Sequence, residues 1–453
     1  MAGGTFSKLS GKTRPGTYIN FESTRHDAVG ISERGTVIIP LPNHTWGPSG
    51  EFIMLTNASP DAEITKLGYS IYDEDPNRQM LLIREAFKKA QKVYVYRLNA
   101  GTKATVTATL NSGSDAVSLT ATAAYGGTRG NALSFAIVSN PLGGFDVQVY
   151  LDGNLVSEYA GLTTIAQLIA EGNAYITFTG SGNLAALAGA TLTGGTDTAA
   201  QNSDVSAFAD KWENVKFNTV AFPLTDSTLQ SMAKAKIKYL RENMGRGVQV
   251  VMPDTLANDY EGVISVTNSV KVGETSLSHA EACAWAAAAT AAAGETKSNT
   301  YEIYEGAVEV VDKKSNEEAI AAINNGEFFF SDSESGDVVV EYDINTLKTF
   351  SGGKDKTYRK NRVIRVFDAF AESIQLNFPP NKYANSTLGW DIMEGVGRSI
   401  LKRFFDAGAI TNVDYDNDFL VDRSMSQGDE TYFNVGLQVV DSAEKLYFTI
   451  GTR

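Results

Sequence analysis

The clearest alternation of apolar and polar positions lies in the last twenty-odd residues, Thr431 to Ile450. Tyr432, Val435, Leu437 and Val439 form a β-branched and aromatic run, the mark of a half-buried strand. Asp441 and Ser442 interrupt it, and Leu446, Tyr447, Phe448, Thr449 and Ile450 form a second strand signal. At the other end, Thr17, Tyr18, Ile19, Asn20 and Phe21 form a similar short strand behind a polar, Gly-rich leader. A terminal strand this apolar needs a partner, because an open edge invites pairing with another chain. Two readings stand open from the residues alone. Each strand docks within its own chain, or each adds to a neighbour's sheet.

Between these ends the pattern alternates strand and helix. Thr36–Ile39 reads as a buried strand stopped by Pro40 and Pro42, and Glu51–Leu55 as another. A helical period covers Asn77–Lys89, and Lys92–Leu98 is again a strand. At Gly101 the composition changes: only seven charged residues occur among the 95 from Gly101 to Gly195. That stretch is rich in Thr, Ala, Gly and Ser, with short alternating runs and an Asp152-Gly153-Asn154 hairpin signal. It predicts an all-β sandwich or barrel with one helix near Thr163–Glu171, inserted into a host fold.

From Asp204 onward the alternation resumes. The pattern predicts helices at Asp204–Asn214, Ser227–Met244, Ser278–Ala293 and Asn316–Asn324. The expected strands are Phe217–Phe222, Gly247–Met252, Gly262–Val266, Ala307–Val311, Phe328–Phe330 and Asp337–Tyr342. This is the signature of a mainly parallel sheet covered by helices. Two further helices, Tyr358–Ile374 and Ser386–Ala407, followed by short strands, make an α+β unit. The expected fold class is therefore α/β and α+β multidomain. The expected division is an arm at 1–24, a discontinuous central α/β domain at 25–100 and 198–350, an inserted β-domain at 101–197, a C-terminal α+β domain at 351–442 and a second arm at 443–453.

Charge and chemistry narrow the function. The 453 residues carry a net charge of −14 with a pI near 4.8, and Lys and Arg are dispersed, which argues against nucleic-acid binding. The start of the chain lacks the apolar core of a signal peptide, and no apolar run reaches the length of a membrane helix. A soluble protein made in the cytosol is expected. The one cysteine, Cys283, sits in Ala-rich helical sequence and reads as an inert buried thiol. His26, His44 and His279 are scattered and form no triad or zinc pattern. Gly11-Lys12-Thr13 lacks the glycine five residues earlier that a phosphate loop needs. Asp414, Asp416 and Asp418 have calcium-loop spacing, but Phe419 and Met425 stand where that loop needs Gly and Glu. Gly245-Arg246-Gly247 lacks the rest of a dinucleotide fingerprint. No catalytic centre, metal or cofactor is expected. One basic stripe stands out, Arg398, Lys402 and Arg403 on the Ser386–Ala407 helix, which is either a solvated face or a dock for an acidic partner.

Taken together, the leader RPGTYINF, the segment RGTVIIPLPNHTWGPSG, the helix NRVIRVFDAFAESI and the terminal EKLYFTI resemble tail sheath proteins. These build the contractile tails of myovirus-like phages and of phage-tail-like bacteriocins. The order of elements is similar over nearly the full chain. The resemblance implies a structural subunit, not an enzyme, that forms stacked hexameric rings around a tail tube and contracts to drive the tube through a bacterial envelope. It implies that Thr17–Phe21 and Leu446–Ile450 complete a sheet in a neighbour's C-terminal domain. Arg398, Lys402 and Arg403 would face the tube. The implied partners are other copies of this chain, the tail tube protein, and baseplate and tail terminator proteins, with no nucleic acid and no membrane insertion. Assembly would occur in the bacterial cytoplasm, into a phage tail or tail-like particle. Two other classes remain for comparison. A surface adhesin would explain the Thr-rich β-domain but calls for a secretion signal. An α/β hydrolase would explain the central sheet but calls for a nucleophile on a sharp turn.

Overall fold

The computed structural model describes residues 2–4, 16–18, 34–111, 116–255 and 257–452. Its centre is a seven-stranded sheet in the order Glu327–Phe328, Val263–Val266, Gln249–Pro253, Thr219–Ala221, Thr36–Leu41, Lys92–Arg97, Phe52–Thr56. Every neighbouring pair is parallel except the last, where Phe52–Thr56 runs antiparallel to Lys92–Arg97. Alternate residues of these strands feed two cores. Val37, Ile39, Val93, Val95, Val251 and Ile264 face the helices Gln79–Phe87 and His279–Ala292. Ile38, Val220, Val250, Met252 and Val263 face Asn202–Asp210 and Ser227–Glu242. Helices on both faces explain why the strands read as continuous apolar runs.

The His279–Ala292 helix is buried on nearly every side, and its small side chains let it lie close to the sheet. It begins with the expected capping box between Ser278 and Glu281.

Three strand expectations are corrected. Thr36–Leu41 does not stop at Pro40. Thr36 accepts from Asn218 on one side and Leu41 from Leu98 on the other, so Pro40 points to the side where pairing with Thr219–Ala221 has already ended at Ile38. Its missing N–H leaves no gap in the ladder. Ala307–Val310 lies outside the central sheet, in a three-stranded antiparallel sheet with Val270–Val272 and Thr275–Leu277. Val338–Val340 pairs with Phe330–Asp332 instead of joining the parallel strands.

The low-charge stretch folds as two sheets with one shared core. One holds Asn154–Leu162, Phe145–Leu151, Leu133–Ser139 and Leu187–Thr191; the other holds Ile176–Gly180, Val117–Ala123 and Thr105–Leu110. Phe135 and Phe178 meet edge to face between the sheets, 5.3 Å apart. The hairpin turn places Asp152 and Gly153 at φ 52° and 77°, the left-handed pair that an Asp-Gly turn supplies. The host contributes Trp46, whose indole packs in this β-core, 5.4 Å from Tyr125. Arg97, from the central sheet, donates to the carbonyls of Gly47 (2.8 Å) and Gly126 (2.7 Å), one on each side of the junction.

The C-terminal unit packs the helices Asn361–Asn377 and Thr387–Asp406 over short strands, around Val366, Phe370, Ile400, Leu401, Phe404 and Phe419. Gly397 is required where the Phe419 ring meets its helix: a Cβ there would fall 2.1 Å from a ring carbon. Two carboxylate–arginine pairs fix this unit to the central domain. Asp368 binds Arg241 through two bonds of 2.8 and 2.9 Å, and buried Asp343 binds buried Arg365 at 2.9 Å. Among the described residues no helix is long and apolar enough to cross a membrane.

Candidate assembly interface

In the C-terminal unit, Ile410–Thr411 and Phe419–Val421 lie along one side of Phe433–Val435 and Gln438–Val439, antiparallel to them. The hydrogen bonds reveal which way each backbone group points. Asp422 donates to Tyr432, Gly436 to Asp418 and Val440 to Ala409, so the even-numbered residues of 432–440 face their partner strands. Phe433, Val435 and Val439 therefore turn their N–H and C=O groups to the opposite edge. Among the described residues no strand pairs with that edge. The hairpin's other edge is closed differently: the Val421 N–H donates to Glu394 Oε1 at 3.1 Å, from the Thr387–Asp406 helix. The hairpin has one closed edge and one open one.

A matching unpaired segment is present in the same chain. Leu446–Ile450 has strand-forming sequence but forms no strand among the described residues. Its side chains stand in solvent, with Tyr447 90%, Phe448 81% and Ile450 88% exposed. An apolar cluster this exposed is expected at an interaction site, since scattered surface hydrophobics do not run consecutively. Among the described residues the segment pairs with no strand of its own chain. At the other terminus, Thr17 and Tyr18 lie in the strand Gly16–Tyr18, which pairs in parallel with Ala2–Gly4. Ile19, Asn20 and Phe21 lie outside the described residues, as do the rejected Gly11-Lys12-Thr13 and His26.

The root of the C-terminal segment is held firmly. The Glu444 carboxylate is only 8% exposed. Its Oε1 accepts from Ser298 Oγ (2.9 Å) and Thr300 Oγ1 (2.8 Å), and its Oε2 from the Lys360 ammonium. Lys360 also pairs with Asp441 at 3.2 Å, and Arg362 donates to Ser442 Oγ at 2.9 Å. Desolvation lowers the Lys360 pKa, but hydrogen bonds and charge from Glu444 and Tyr342 outweigh it and hold the ammonium well above the usual lysine range. A cavity of about 470 Å³ opens beside the socket, between Asn324, Tyr342, Lys356 and Arg359. Sequence reasoning missed this socket, because its partners are up to 146 residues apart and no local spacing announces them.

The basic stripe is in large part neutralised by its own helix. Lys402 pairs with Asp406 at 2.9 Å, Arg398 approaches Glu394 at 4.0 Å, and Arg403 is half-buried. Leu388 and Ile392 stand exposed on the same helix. In the acidic loop the oxygens serve the loop itself: Asp414 accepts from the Asp416 N–H and the Asn417 amide, and Asp418 from the Asp414 N–H. Among the described residues no three His, Cys, Asp or Glu side chains gather as metal ligands. Cys283 is buried, with its thiol pushed up by desolvation and donating to the His279 carbonyl. His44 is buried beside the junction to the β-sandwich, its Nε2 donating to the Leu67 carbonyl at 2.8 Å. Burial, reinforced by the Arg97 charge, lowers its pKa to about 4.

With this geometry in place, the likeness to known proteins covers nearly the whole chain. Residues 34–98 match the tail sheath protein Gp18 domain III N-terminal region, and 99–197 the phage tail sheath protein beta-sandwich domain. Residues 198–346 match the phage tail sheath protein central domain, and 353–453 the phage tail sheath C-terminal domain. The phage-like element PBSX protein XkdK of Bacillus subtilis (strain 168) is 35% identical in a 483-residue alignment covering 99% of each chain. The sheath tail protein of Desulfitobacterium hafniense is 38% identical, with a TM-score of 0.81 over 96% of this chain and 99% of that one. The helical sheath of the anti-feeding prophage in its contracted state shares the fold at 14% identity, with a TM-score of 0.57 over 98% of this chain and 100% of that one.

Proposed function

The chain belongs to the phage tail sheath family, and from that premise we propose that it polymerises as stacked hexameric rings around a tail tube and contracts to drive that tube through a bacterial envelope. Its work is structural, with no catalytic centre. Assembly takes place in the bacterial cytoplasm, with baseplate and terminator proteins closing the two ends of the polymer. Residues 1–24 and 443–453 are the linking arms, and 25–100 with 198–350 form the central domain. Residues 101–197 form the projecting insertion, and 351–442 the C-terminal domain that receives strands. The observation that carries this reading is the presence, in one chain, of both an open strand edge at Phe433–Val439 and an exposed, strand-forming Leu446–Ile450.

Neighbouring copies supply what each copy lacks. Leu446–Ile450 of one neighbour and Thr17–Phe21 of another extend the hairpin into a larger sheet. A donated strand making about six backbone hydrogen bonds, each net ~1 kcal/mol, contributes roughly 6 kcal/mol, a dissociation constant of tens of micromolar. One joint is weak. Two arms given and two received make a mesh that holds by avidity. Contraction then draws on better packing between subunit surfaces while the strand joints persist. The helix Thr387–Asp406 is the candidate tube-facing element, through Arg398, Lys402 and Arg403 beside its exposed Leu388 and Ile392.

Electron microscopy of three purified chains tests this: the full chain, one lacking residues 443–453, and Val435→Pro. The expected result is tubes or rings from the full chain and none from either variant. Proline at Val435 removes an outward N–H and leaves the hairpin's inner ladder intact, so the monomer should still fold. Assemblies of ordinary appearance from both variants would reject strand donation.

A further inference from the structure

We propose that Glu444 is the anchoring residue of the C-terminal arm, fixing where and in which direction the arm leaves the subunit to reach a second copy. This rests on reading Leu446–Ile450 as the donated strand. Residues 446–452 are all exposed, whereas the Glu444 carboxylate is enclosed by three partners from two different parts of the fold. Ser298 and Thr300 belong to a turn of the central domain; Lys360 caps the Asn361–Asn377 helix of the C-terminal unit.

The same turn reaches inward as well as outward. The Asn299 N–H donates to buried Asp343 at 2.9 Å, and Asp343 binds both Arg365 and the Asn361 amide at 2.9 Å. Asp343 in turn donates its own N–H to Thr300 Oγ1 at 3.1 Å. Glu444 is thus fastened to the outer side of the network that joins the two domains. The arm's exit point moves with that seam.

Physical consequences follow from chain length. With Glu444 held, the free arm is the nine residues 445–453 of the sequence, with a reach of roughly 30 Å. Release moves the last fixed point back to Ser442, whose Oγ accepts from Arg362. The arm gains two residues of slack and loses its fixed direction. Slack alone lowers the effective concentration at the neighbour's edge by less than about twofold, and lost preorganisation lowers it further.

The test uses the full chain, as wild type, Glu444→Gln, Lys360→Gln and Phe448→Asp. Two readouts are taken: the concentration at which assemblies sediment, and the rate at which a lysine-specific protease cuts the Lys445–Leu446 bond in the monomer. Anchoring predicts that Glu444→Gln raises the assembly concentration roughly two- to tenfold and speeds cleavage about fivefold or more, because a protease needs its site unfastened. Lys360→Gln changes both readouts in the same direction, and it carries the test if Glu444→Gln does not fold. Phe448→Asp disrupts the strand itself, abolishing assembly without faster cleavage.

If Phe448→Asp abolishes assembly while Glu444→Gln and Lys360→Gln assemble as wild type, anchoring is wrong and strand donation stands. A Glu444→Gln chain that assembles at lower concentration would mean the socket restrains the arm, which also overturns the proposal. If Phe448→Asp assembles as wild type, or the wild type never associates, strand donation fails and anchoring fails with it.

Discussion

The β-sandwich and the C-terminal hairpin are built from similar short strands, yet they treat their edges in opposite ways. The sandwich brings two sheets face to face within 99–197, closes a core around Phe135, Phe178 and the host's Trp46, and leaves its segments paired. The hairpin closes one edge with Glu394, leaves Phe433, Val435 and Val439 facing outward on the other, and carries an unpaired apolar segment just beyond. The lesson is that strand propensity says a segment will pair, while the rest of the chain decides with what. A domain that supplies its own second sheet is finished alone. One that stops at a hairpin leaves an edge open to another molecule.

The sharpest way to break this contrast is to damage the closed region and look for effects on the open one. Trp46→Ala empties a fully enclosed site and should destabilise the sandwich by about 3–5 kcal/mol, seen as an earlier thermal transition. Association should survive at temperatures where the variant is folded, since its edge and arm are untouched. Loss of association in a folded Trp46→Ala chain would show that the two regions are not independent.

A smaller effect is expected from pH at the junction. His44 has a folded pKa of about 4 against 6.5 in the unfolded chain. Between those values the unfolded chain takes up a proton that the folded one refuses. Stability is therefore full above pH 6.5 and falls as pH drops toward 4, by about 3 kcal/mol at most. A His44→Gln chain should lose that slope, measurable by denaturant unfolding at pH 7 and pH 4.5. An unchanged slope would place the acid sensitivity elsewhere.

Much of the fold was legible because local signals agreed with each other. Ser278 and Glu281 announced a helix start, Asp152-Gly153 a hairpin, and the low-charge run a β-sandwich. What stayed hidden was long-range. Alternation in Ala307–Val310 marks a strand without naming its partner, and the partner proved to be Val270–Val272. Pro40 stops a strand only where its N–H would have had an acceptor. Trp46 sits more than 50 residues before the nearest β-sandwich strands whose core it fills. The candidate interface divides the same way. Leu446–Ile450 is visible as an unplaced strand, but the edge geometry and the Glu444 socket exist only once distant segments meet. The basic stripe shows the converse: Arg398 and Lys402 are evident in sequence, while Glu394 and Asp406, which pair with them, alter what they offer.

Hydrogen exchange on the monomer and on the assembled protein tests the central claim most directly. In the monomer, the amides of Phe433, Val435 and Val439 and those of 446–450 should exchange rapidly, because they have no acceptor among the described residues. On assembly both groups should become protected together, as donated strand and receiving edge pair. Assemblies in which 446–450 still exchange at the monomer's rate would contradict the account.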